Sequence, residues 1–223
     1  MNFHDKKVRN IHAKRVQCDE MWSFVYAKER NSEKAKYGMA GDIWTWVAID
    51  TDTKLIISWL IGNRDSFAAN WFMDDLKSRL ANKVQLTTDG FRPYLEAVEN
   101  NFGNNIDYAQ LVKIYGKSKN KQYEKFVGAT KTIIVGNPNE EYLSTNAVER
   151  QNLTVRTHVK RFTRRTNAHS KKVENHGYAT ALHFVYYNWC KIHSTLRVTP
   201  AMEAGLTKDI IEIEDIVKLA NQE

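Results

Sequence analysis

The sequence predicts an α/β fold, a mixed β-sheet flanked by helices. Three observations carry that prediction. Strand-like runs at Arg15 to Ala27, Ile43 to Asp50 and Leu55 to Ile61 follow one another closely, as in an antiparallel meander. From Leu55 onward the order becomes strand, helix, strand, helix, which suits a sheet with helices on its faces. A chain of 223 residues, 42% apolar and 11% aromatic, can also bury a substantial core.

Taken in order, residues 1–14 are basic and polar without apolar periodicity and read as a flexible lead-in. In Arg15 to Ala27, Val16, Cys18 and Trp22 suggest a partly buried face, and Asp19 and Glu20 interrupt it. Acidic side chains within an apolar strand cost desolvation energy unless they are paired or metal-bound, so at least one is expected to face a cleft. The alternative is an edge strand with both in solvent. Lys28 to Ala40 reads as a loop, and Asp50-Thr51-Asp52-Thr53 as the turn between the second and third strands.

Ser66 to Leu80 has a helical pattern containing Phe67, Trp71 and Leu76, with Ser66 as its cap. Lys83 to Asp89 is a short strand ending in an acid, followed by Gly90 and a helix from Pro93 to Asn101. The carboxyl end of a strand is where open α/β sheets hold ligands, and Asp89 stands there, although an aspartate in that position also caps helices. Tyr108 to Tyr115 and Lys131 to Val135 read as further strands, separated by a polar, lysine-rich segment from Gly116. A Ser/Thr/Asn cluster from Ser144 marks a helix start. After Glu174 comes a strongly aromatic helix whose Phe184, Tyr187 and Trp189 are expected in the core, with His176 and His183 as structural histidines. Thr199 to Gly205 reads as a turn and Ile210 to Ala220 as an amphipathic helix.

The 33 basic and 26 acidic residues leave a net charge of +7, which points towards a polyanionic partner. The charge is clustered: between Glu149 and Glu174 lie Arg150, Arg156, Lys160, Arg161, Arg164, Arg165, Lys171 and Lys172, with no acid. Glu149 and Arg156 are two helical turns apart, so a carboxylate suited to a metal shares a face with a cation suited to a phosphate. The strip also reads as a solvated basic helix. Cys18 and Cys190 are far apart and lack pairing or zinc-site motifs, which favours a reducing cytoplasm. An apolar signal core and a stretch of ~20 apolar residues are both missing, so neither secretion nor a membrane span is expected.

Asp19, Asp89 and Glu149 thus stand on a strand, at a strand end and on a helix, an arrangement that a mixed α/β fold can bring together. Three carboxylates around two hard cations suit in-line attack at a phosphodiester. The blocks VQCDEMWSFV, GDIWTWVAIDTDTKLI, VQLTTDGFRPYLEAVE, NAVERQNLTVRTHVKRFTRRTNAHSKK and YNWCKIHSTLRVTPAMEAGLT occur in that order between Arg15 and Thr207. In these blocks the chain resembles DDE transposases of the insertion sequence 1 group, which have a retroviral-integrase or ribonuclease-H-like core.

The resemblance implies a ribonuclease-H-like catalytic domain over residues 15–172 and a helical C-terminal extension packed on it over 173–223. Asp19, Asp89 and Glu149 match the family's metal-binding acids, and Arg156 the basic residue that follows the catalytic glutamate. Mg²⁺, or alternatively Mn²⁺, in a two-metal site would support nicking at element ends and attack of the freed 3′-hydroxyl on target DNA. The implied partner is double-stranded DNA, both element ends and target, bound by a homo-oligomer in the nucleoid-associated cytoplasm. Nearness and charge assign Asn146, Arg150, Asn152, Lys160, Arg161, Arg164, Arg165, Lys171 and Lys172 to a DNA track. Only 18 residues precede Asp19, where relatives commonly carry a DNA-recognition region. This raises the alternative of a truncated, catalytically inactive DNA-binding regulator of transposition. An RNA-directed nuclease of the same fold is a third reading.

Overall fold

Strand β1 (Arg15–Val25) can sit inside the sheet because it buries side chains on both of its faces, and the rest of the sheet grows outwards from it. The computed structural model describes residues 2–34, 40–117 and 124–220. On one side of β1 lie β2 (Gly41–Asp50) and β3 (Ile56–Gly62), both antiparallel, giving the expected meander. On the other side lie β4 (Gln85–Thr88) and β5 (Asp107–Lys117), both parallel, and then antiparallel β6 (Glu124–Val135). The six-stranded order is β3-β2-β1-β4-β5-β6, the mixed sheet flanked by helices that the sequence predicts.

Alternation along β1 divides the core. Val16 and Cys18 join one cluster with Phe72 and Leu76 of α2 (Ser66–Arg79) and Tyr94 and Val98 of α3 (Pro93–Phe102). Met21 joins a second cluster with Val148 and Val155 of α4 (Asn146–His158) and Phe184 and Tyr187 of α5 (Val173–Trp189). Residues of α5 serve both clusters, since Trp189 packs in the first. Phe184, Tyr187 and Trp189 of α5 are therefore core, as expected, while Tyr178 and Tyr186 are exposed. Its His176 is fully buried between two hydroxyls, with Nε2 3.2 Å from Ser23 Oγ and Nδ1 3.1 Å from Ser170 Oγ. Ser23 donates its own proton to the Ile43 carbonyl, so the network fits a neutral ring that donates from Nε2.

The structure corrects five local expectations. Residues 2–14 of the expected lead-in over 1–14 are not loose, because α1 (Asn2–Lys7) is docked: His4 bonds the Ile57 carbonyl at 3.0 Å, and Val8 and Ile11 are buried. The last strand runs well beyond Lys131 to Val135, taking in Glu124 onward from the polar segment, of which 118–123 lie outside the described residues. Residues 35–39 of the loop expected from Lys28 to Ala40 also lie outside them, and Glu29–Lys34 form a 3₁₀ turn. The cap of α2 is Asp65, whose carboxylate accepts from the Ala68 amide at 2.9 Å, and Phe67 and Trp71 are exposed while Leu76 is buried. A short α6 (Pro200–Glu203), capped by Thr199, fills the expected turn, and α7 (Ile213–Ala220) closes the described chain. Among the described residues no helix is long and apolar enough to cross a membrane.

Candidate active site: a carboxylate cavity beside two parallel strands

Parallel pairing puts Cys18 of β1 beside Thr88 of β4, so the next residues along, Asp19 within β1 and Asp89 just past the carboxyl end of β4, lie side by side. Glu149 reaches the same place from the first turn of α4. Gln17, two residues before Asp19 and on the same face of β1, holds that turn: its Oε1 accepts from the Ala147 and Val148 amides at 2.8 and 3.2 Å. The three acids expected from the sequence therefore line one open cavity of about 670 Å³. Gly90 lets the turn after Asp89 approach β5, since a Cβ there would lie 2.6 Å from Val112 Cγ2.

Each carboxylate is held by groups of the chain. Asp19 Oδ2 accepts from Asn152 Nδ2 at 2.8 Å, and Asp89 Oδ1 accepts from the Phe91 amide at 3.0 Å. Both Glu149 oxygens accept from Lys113 Nζ, at 2.5 Å for Oε1, which also accepts from Thr145 Oγ1 at 2.5 Å. Burial, then the charges of Glu20 and Asp89, push the Asp19 carboxyl up to about 7. Glu20 faces the opposite side of β1 and is likewise pushed up to about 7, by burial first and then by Asp89.

Two cations and one further acid in this cluster lie outside the expected site. Glu20 joins Asp19 and Asp89 in a group whose carboxylate oxygens lie within 4.8 Å of one another. Arg64, in the loop after β3, donates from Nε to Glu20 Oε1 at 2.7 Å and stands 3.7 Å from Asp89 Oδ2. Its guanidinium lies 3.9 Å from the centre of the Phe91 ring. Tyr94 donates its hydroxyl to Glu20 Oε2 at 3.0 Å. Lys113 of β5 is the second cation. Neither Arg64 nor Lys113 has a local sequence signature, since a loop arginine and a strand lysine are ordinary until the fold closes.

Arg156, expected as the phosphate-facing cation beside the metal-binding acids, and the residues expected along a DNA track take separate places. Arg156 is half-buried and its guanidinium donates to the Trp22 and Phe162 carbonyls at 3.0 and 2.8 Å, so it ties α4 to β1 and to the following turn. Burial lowers its pKa first, and Arg164 adds to that. Asn152 is buried against Asp19, where the sequence placed it as a DNA contact. Asn146 and Arg150 lie on the exposed face of α4. Lys160, Arg161, Arg164, Arg165, Lys171 and Lys172 follow the helix in a 3₁₀ turn and extended chain, with only Arg161 half-buried and bonded to Ser170 Oγ at 3.2 Å.

Hard oxygen donors at this spacing, with Asp19 held well above the usual carboxylate range, fit a divalent cation. Residues 41–137 match a family model described as a DDE domain, of the insertion sequence 240 transposase type. That segment includes Asp89, while Asp19 and Glu149 lie outside it. Among solved structures the chain is similar to an intasome of simian T-cell lymphotropic virus in complex with the PP2A regulatory subunit B56 gamma. The identity is 14% and the TM-score 0.52, over 92% of this chain and 59% of that one. No curated protein matches the chain. The family match covers less than half of the chain, and the structural likeness shows the fold.

Proposed function

We propose that the protein is a DDE transposase of the insertion sequence 1 type, which nicks DNA at element ends and transfers the freed 3′-hydroxyl into target DNA. The observation that carries this reading is the convergence of Asp19, Asp89 and Glu149 on one open cavity. The insertion sequence 1 affiliation rests on the ordered motif blocks alone. Residues 15–172 would be the catalytic unit and 173–223 the extension that completes its core, acting on double-stranded DNA as an oligomer in the nucleoid-associated cytoplasm.

Asp19 and Asp89, with Glu149, would hold Mg²⁺ or Mn²⁺ in a two-metal site. Bound there, such ions supply Lewis-acid polarisation of the phosphodiester and a more acidic attacking hydroxyl. The chain's own contribution is positioning. Asn152 fixes one oxygen of Asp19, the Phe91 amide fixes one oxygen of Asp89, and Thr145 orients Glu149. Arg64 stands beside Asp89, where a guanidinium can also meet a phosphate oxygen. The cavity is open, as a polymeric substrate requires.

The test is a nicking assay on labelled duplex carrying the element's end, with Mg²⁺, comparing the full chain with Asp89→Asn. The expected outcome is loss of nicking by at least about 100-fold, since even residues behind metal ligands can cost that much. Equal nicking by the two proteins would overturn the mechanism.

A further inference from the structure

A second cavity, of about 690 Å³, opens on the other flank of α4. Its wall carries Lys54, Arg150, His158, Lys191 and His193, and no carboxylate among the described residues that line it. Lys54, Arg150 and Lys191 form no ion pair among the described residues. This cluster of cations therefore lacks an acidic counterpart among the described residues. Two imidazoles register the resulting field: burial lowers the pKa of His193 first, with Lys54 and Lys191 adding to it, and that of His183 in the same way, with His158 and Lys191.

Helix α4 is the shared wall of the two cavities. Thr145 and Glu149 face the carboxylates, while Asn146, Arg150 and Thr154 face the cations. Ser144 and Thr145 are consecutive and line opposite cavities, so the two meet where the chain enters the helix. A compact phosphate would need only one of these spaces. A polymer with a phosphate at every unit can occupy both, crossing the start of α4 with one phosphate at the carboxylates and another among the cations.

We propose that this cavity binds the phosphodiester backbone of the nucleic acid whose reacting phosphate lies in the carboxylate cavity, with Lys54, Arg150 and Lys191 as the phosphate contacts. The assignment rests on the nucleic-acid reading given above and adds a second anchoring site to it. Arg150 then acts with residues from the β2–β3 turn and from beyond α5, and not with the basic run that follows it in sequence.

The test is fluorescence anisotropy of labelled duplex DNA over a series of KCl concentrations, in EDTA so that no cleavage intervenes. The full chain is compared with Arg150→Gln/Lys191→Gln and with Lys218→Gln, a charge removal on α7 outside both cavities. The double variant should bind about tenfold or more weakly at low salt, with a salt dependence shallower by about two units, close to 0.9 per lost phosphate contact. The Lys218 variant should match the wild type. DNA binding by the double variant indistinguishable from that of the Lys218 variant would overturn the proposal. So would loss of tripolyphosphate binding with DNA affinity and salt slope unchanged, since the cavity would then hold a free phosphate compound. Weakened binding by the double variant, in a protein whose wild type does not nick, would keep the cavity and reject the enzyme.

Discussion

At the scale of single residues, Asn152 changes its meaning most between sequence and structure. Its amide nitrogen lies 2.8 Å from Asp19, and its Oδ1 is buried without a hydrogen-bond partner among the described residues. An unsatisfied acceptor beside a metal-type carboxylate marks a positioning residue. Asn152→Ala should lower nicking or divalent-ion affinity by about 10–100-fold while leaving DNA affinity in EDTA unchanged, as activity and anisotropy measurements would show. Weakened DNA binding with intact metal affinity would restore its reading as a DNA contact. Asp19 and Asp89 were legible in the sequence because acids are costly inside or at the end of an apolar strand. The partner of Asn152 was not, since its contact joins positions 133 residues apart.

At the scale of elements, β1 and α5 are locked together by the His176 network. Burial, with Arg161 nearby, lowers the His176 pKa to about 4. A base with a depressed folded pKa contributes full stability above its unfolded value of 6.5, and that contribution falls as pH drops from 6.5 to about 4. The expected loss is up to about 3 kcal/mol across that window. Asp19 and Glu20 act in the opposite sense, because their folded pKa values near 7 add stability as pH falls. Comparing urea unfolding of the wild type and His176→Gln at pH 7 and pH 4.5 isolates the histidine. The variant should show the smaller acid-side decline, and parallel pH profiles would contradict the assignment. The existence of α5 was plain from its aromatic content. Its double role was hidden, because a helix apolar on most sides does not declare which layer each side meets.

At the scale of the whole molecule, the meander and the alternating strands and helices after it were readable, since short connections force antiparallel neighbours and intervening helices allow parallel ones. Two features escaped. The early part of β6 belongs to a sheet edge exposed on both faces, so it carries no apolar period. Helix α1 has only six residues and is held by distant partners, chiefly Arg79. That guanidinium bonds Asp75 at 2.7 Å, Asp5 at 2.6 Å and the Val8 carbonyl at 3.3 Å, joining the N-terminal segment to α2. Arg79→Ala should cost about 3 kcal/mol, as breaking a buried ion-pair network does, and should expose α1 to limited proteolysis. An unchanged unfolding midpoint in urea would show that the segment is dispensable.

Arg64 pairs with Glu20 and stands by Asp89, and Lys113 pairs with Glu149. The protein already supplies positive charge where a divalent ion would sit, from a loop on one side and an edge hairpin on the other. Loading the proposed metal site would then be an exchange of counter-ions. The apparent affinity for a metal would measure how much better that ion serves the carboxylates than the side chains it displaces, and each displaced side chain would be released towards the phosphates of whatever strand is bound.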